Sequence, residues 1–153
     1  VHHDGWEIAG CPVNGPAVAI AGDQLAVAWF TGAEDVPRVK LALANADGLN
    51  FEEPIQLDDG NPAGRVDVLG LSNGDFLVSW LERTGGEAAE VRMRRVRSDG
   101  AISESVTLTS SSSARASGFP RLAQNPDGSL VMAWTDVSSS PAQVRITRVH
   151  LED

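Results

Sequence analysis

The chain has 153 residues, enough for one hydrophobic core, with 21 acidic and 12 basic side chains and a net charge of -9. That balance argues against a general grip on nucleic acid or an anionic membrane, and no stretch approaches the ~20 apolar residues of a membrane span. Fifteen glycines and eight prolines, many glycines in Asp-Gly or Asn-Gly pairs, cut the sequence into short pieces with no helical stripe, so the chain reads as all-β.

Residues 1–15 form a junction segment. No basic, apolar leader follows Val1, so no signal peptide is expected, and the missing initiator Met points to a processed or trimmed chain. His2, His3, Asp4 and Cys11 are metal-ligand types, but their spacing matches no compact zinc pattern, and neither a metal nor a cofactor is expected. Cys11 is the one cysteine, which leaves no intramolecular disulfide to form. It is read as a small buried residue in the turn GCPVNGP.

Strands follow in groups. PAVAI (16–20), QLAVAWFT (24–31), RVKLALAN (38–45) and PIQLD (54–58) make the first unit, 16–58. RVDVLGL (65–71), DFLVSWLE (75–82), residues 90–97 and ISESVTLT (102–109) make the second, 65–109. FPRLAQ (119–124), SLVMAWT (129–135) and residues 143–151 make the third, 119–153, which lacks a fourth strand. The second strand of each unit is apolar on both faces, as in a sheet covered on both sides. The third strands, with Lys40, Arg92, Arg94, Arg95, Arg97, Arg145 and Arg148, suit an outer, half-exposed position.

The three units repeat one pattern. Trp29, Trp80 and Trp134 are preceded four positions earlier by Leu25, Phe76 and Leu130, and before those by the turn signals AGDQ, SNGD and PDGS. A period of about 50 residues is the size of a four-stranded propeller blade. The tryptophans, recurring in register, are expected to pack between blades. The segment VHHDGW stands before PAVAI as QLDDG stands before RVDVL, and so reads as the end of a preceding blade's last strand. Three blades are too few to close a ring, so a homodimer of two half-propellers is expected, with HLED of one copy beside VHHDGW of the other.

The passage LALANADGLNFEEPIQL resembles the Asp-box of BNR repeats in bacterial sialidase-like propellers. Gly48 and Phe51 match the box, while Ala44 and Ala46 stand at its Ser and Asp positions, with Asp47 one place late. VRSDGAIS at 96–103 is a weaker echo, and GRVDVLGLSNGDFLVSWLE is similar to the second half of such proteins. The resemblance implies a six-bladed propeller and favours a secreted or periplasmic protein. It also implies an arginine-lined carboxylate site with a tyrosine nucleophile, yet the chain contains no tyrosine.

Candidate ligand residues lie on the face with the longer connections. They are Arg65, Asp67, Arg115 and Arg121, whose guanidinium forks suit a carboxylate or sulfate, together with Trp6 and Asn14 in the junction segment. For Arg65 and Asp67 an internal ion pair competes with ligand contact; for Trp6, a plug beneath the loop competes with an aromatic platform. The DDG at 58–60 reads as a turn or a calcium ligand, and SSSSARASG (110–118) as a flexible loop. Three functions follow: a non-catalytic module binding a glycan or protein, a glycosidase completed by other blades, or a structural assembly unit.

Overall fold

A computed structural model describes residues 1–8, 13–45, 47 and 50–151. Cys11, Ala46, Gly48 and the last two residues of HLED lie outside the described residues. Three antiparallel sheets follow one another along the chain. The first is β1 (Ala17–Ala21), β2 (Gln24–Thr31), β3 (Arg38–Asn45) and β4 (Ile55–Gln56), in that order. The second is β5 (Pro62–Gly70), β6 (Phe76–Gly85), β7 (Ala88–Val96) and β8 (Val106–Ser112). The third has three strands among the described residues, β9 (Arg121–Gln124), β10 (Leu130–Asp136) and β11 (Gln143–Val149).

The fourth strands are shorter or later than the sequence predicts, for a shared reason: side chains replace backbone partners. Asp58 Oδ2 accepts the Val39 N–H at 2.8 Å, and β4 is only Ile55–Gln56. Ser103 Oγ accepts the Arg95 N–H at 3.0 Å, so Ile102 makes an isolated bridge to Val96 and the regular strand begins at Val106. That strand then runs through Ser112, followed by a 3-10 turn over Arg115–Ser117. The expected loop at 110–118 is therefore half strand and half turn.

The sheets stack in one direction. Phe76, Val78 and Trp80 of β6 face the first sheet, where they join Ala26, Ala28, Val39, Leu41 and Leu43 in one core. Leu77 and Leu81, on the opposite face of β6, join Val91 and Met93 against Leu122, Leu130 and Met132 of the third sheet. Fully burying one such side chain contributes about 1.5–3 kcal/mol. Packing is closest at Gly70, where an added Cβ would lie 2.2 Å from the Ile20 carbonyl oxygen.

Trp80 is fully buried between the first two sheets, as the repeat predicts for it. Trp134 is half-buried against the second core, and Trp29 is half-buried on the outward face of the first sheet. The outer position expected for the third strands holds for β11, an exposed edge strand among the described residues, and is corrected for β3 and β7, which lie inside their sheets, flanked by β4 and β8. On β7, three arginines are half-buried in ion pairs. Arg92 and Arg94 both reach Asp59 at 2.6 Å, and Arg95 reaches Asp75 at 2.6 Å.

Candidate arginine site

The connections into β5 and β9 bring several of the sequence candidates together. Gly64 and Arg65 both have left-handed backbones, φ +85 and +56 degrees. For an arginine that conformation is uphill, and Asn14 holds it in place. Asn14 Oδ1 accepts the Arg65 N–H at 2.9 Å, and its Nδ2 donates to the Ala63 carbonyl at 3.2 Å. An added Cβ at Gly64 would lie 2.6 Å from the Asn14 side chain, so that position has no room for another residue.

This backbone swings the Arg65 side chain toward the third sheet. The residue is only 6% exposed. Its guanidinium donates to the Gly118 carbonyl at 2.8 Å and lies 5.1 Å from the centre of the Phe119 ring. Arg121 approaches the same ring at 5.9 Å, so Phe119 has two cations over it. Burial first, then the charges of Arg115 and Arg83, push the Arg65 pKa below its ordinary value. Arg83 is anchored from its own side by donating to the Pro62 carbonyl.

Asp67 does not neutralise Arg65. Its Oδ1 pairs with Arg121 at 2.6 Å and its Oδ2 accepts the Leu122 N–H at 2.7 Å. The expected internal pair within β5 is thus a pair between sheets, stitching β5 to β9. Arg65 keeps no carboxylate within ion-pair distance among the described residues, and the exposed Arg115 has none either. A buried guanidinium surrounded by like charge favours a bound anion, which would accept bidentate hydrogen bonds and relieve the repulsion.

Trp6 sits elsewhere on this side of the molecule. Its ring packs edge-on to Phe30, centroids 5.6 Å apart, and lies over Gly32, whose added Cβ would be 2.9 Å from its Nε1. The DDG turn is occupied by protein donors: Asp58 takes the Val39 and Gly60 amides, and Asp59 takes Arg92, Arg94 and Ser105. No group of three or more metal-ligating side chains gathers among the described residues.

Phe119, Gly118 and Arg83 are the members of the cluster that sequence reasoning missed. Arg83 directly follows the repeated strand motif, on the face already singled out for its longer connections, and that position was the available signal. No family model matches the chain, and no curated protein matches it.

Proposed function

We propose that the three sheets are consecutive blades of a sialidase-like β-propeller, and that the chain is a non-catalytic module binding an anionic group through Arg65, Arg115 and Arg83. The repeated period and the one-way stacking of the sheets support the blade reading. The absence of tyrosine supports binding over sialidase-type hydrolysis. The ligand class is the carboxylate or sulfate of a glycan, because a planar guanidinium recognises planar or tetrahedral oxyanions with paired hydrogen bonds. The observation that carries the reading is the buried Arg65 guanidinium, crowded by two other arginines and lacking a carboxylate partner among the described residues. With a net charge of -9, the rest of the molecule repels anions, so binding requires this local cluster.

Titration with a sialylated trisaccharide and a sulfated disaccharide, followed by calorimetry, tests it. Arg115→Ala should weaken binding of the responding ligand by about tenfold, the loss of ~1.4 kcal/mol expected for one charged contact. Arg65→Lys keeps the charge but loses the fork, and should weaken binding similarly. Arg97→Ala, at an exposed turn, should leave it unchanged. Equal losses at all three positions would indicate diffuse charge and defeat the site.

A further inference from the structure

The two ends of the sheet stack are complementary to each other. Strand pairing places Val18, Val68 and Leu122 at one repeat position, opposite Val27, Val78 and Met132. Val68 and Leu122 are buried against the preceding sheet, whereas Val18 is 65% exposed. On the opposite face, Val39, Val91 and Val144 share one position and Leu41, Met93 and Ile146 another. The first two of each set are buried against the following sheet, while Val144 is 75% and Ile146 71% exposed. The exposed members lie at opposite ends, one on the first sheet's outward face and two on the third sheet's. Each is apolar where its equivalents meet a neighbouring sheet.

The N-terminal segment supplies an independent observation. Asp59 and Gly60 lead into the second sheet, where Asp59 pairs with Arg92 and its N–H donates to Glu82, which also accepts the Trp80 indole. Asp4 and Gly5 stand at the corresponding place before the first sheet, with Asp4 Oδ1 accepting the Trp6 N–H at 3.2 Å and no carboxylate at position 31 to take the part of Glu82. The Thr31 hydroxyl, opposed by burial and aided by the Trp6 amide, the Trp29 indole and the charge of Lys40, holds the Asp4 carboxyl below its ordinary range. Thr31, Trp29 and Lys40 occupy the positions of Glu82, Trp80 and Arg92, and Gly5 and Gly60 both have left-handed φ angles, +73 and +117 degrees. Residues 1–3 therefore correspond to Gln56–Asp58, which continue and leave the fourth strand of the first sheet. They are placed as the end of the fourth strand of a sheet that precedes the first. The third sheet is the one that has no fourth strand among the described residues.

We infer that a second copy of this chain covers both open faces, head to tail: the third sheet of each copy packs on the first sheet of the other, and residues 1–3 of one copy pair with β11 of its partner. Every contact is then a repeat of one already present between the first and second or the second and third sheets. Two copies contribute six sheets, within the ~4–8 that close a propeller. The two junctions are equivalent by the two-fold axis. This inference rests on the blade reading but not on the anion site, so mass and ligand titration fail separately.

Light scattering on the whole chain should give twice the 16.1 kDa chain mass. Val18→Asp and Ile146→Asp each place a charge on a surface that is exposed in the single chain, so circular dichroism should stay unchanged while each variant alone becomes monomeric. Mixing the two variants should restore a dimer, because one junction then joins an intact first sheet to an intact third sheet. Deleting residues 1–3 should also weaken the dimer. A folded 16.1 kDa particle at all concentrations would overturn the inference. So would dissociation by one substitution and not the other, which marks a face-to-face dimer, or an open series of higher masses, which marks a stack that does not close.

Discussion

The indole Nε1 of Trp80 donates to Glu82 Oε2 at 2.6 Å, two residues along the same strand and wholly inside the protein. Glu82 also accepts the Asn61 N–H at 2.6 Å and the Asp59 N–H at 3.3 Å. One carboxylate thus ties the largest core side chain to the connection between the first and second sheets.

Two substitutions separate the parts of that arrangement. Trp80→Ala should destabilise the fold by about 3–5 kcal/mol, the range for large aromatic deletions in a core. Trp80→Phe keeps most of the apolar volume but removes the donor, leaving Glu82 less satisfied, and should cost about 1–3 kcal/mol. Chemical denaturation of both variants checks the order. A Phe variant as unstable as the Ala variant would show that the hydrogen bond outweighs the packing.

Asp59 sets an acid limit on stability. Burial opposes its charge, but the Ser105 hydroxyl and the guanidiniums of Arg92 and Arg94 overcome that and hold its carboxyl below the ordinary 3.8. A depressed folded-state pKa stabilises the protein above the unfolded value and loses that contribution as pH falls through the folded one. Asp59→Asn should therefore cost about 2 kcal/mol near neutrality. The gap between variant and parent should narrow steadily below pH ~4. Melting curves across that range test the sign; a gap that widens in acid would contradict it.

Gly70→Ala should force the first two sheets apart. The new methyl would meet the Ile20 carbonyl oxygen at 2.2 Å, and backbone cannot rotate away as a side chain can. A loss of about 3 kcal/mol is expected, at the upper end of ordinary overpacking. Alanine at Gly22, where nothing lies within 4 Å of the added carbon, separates steric cost from the cost of its left-handed φ of +57 degrees. Equal losses at both glycines would show that the close approach at Gly70 is not what limits it.

The strand pattern was legible because it is local. Residues 24–31 and 38–45 are strands to the residue, set by their apolar runs and the turn at Gly22–Asp23. The convergence of Arg65, Asp67 and Arg121 was legible too, from the repeat position of β5 and β9. What the sequence hid depends on contacts distant along the chain. Nothing near Arg65 announces its left-handed backbone, since the group that stabilises it is Asn14, 51 residues away. The shortened fourth strands were hidden likewise, because Asp58 and Ser103 read as strand residues in the sequence while their side chains terminate the ladder.

The one-way stack also ranks the sheets by how often they open. Among the described residues of one chain, the second sheet is the one with both faces covered, and each outer sheet borrows its stability from a single neighbour. In the dissociated chain, amide protons of β6 and β7 should exchange only by global unfolding, whereas those of β1 and β11 should escape through local fraying at far lower free energy, and pairing with a second copy should protect them. The dissociated chain behaves as a short one-dimensional array of coupled units, in which the Val18 and Ile146 surfaces are where unfolding starts.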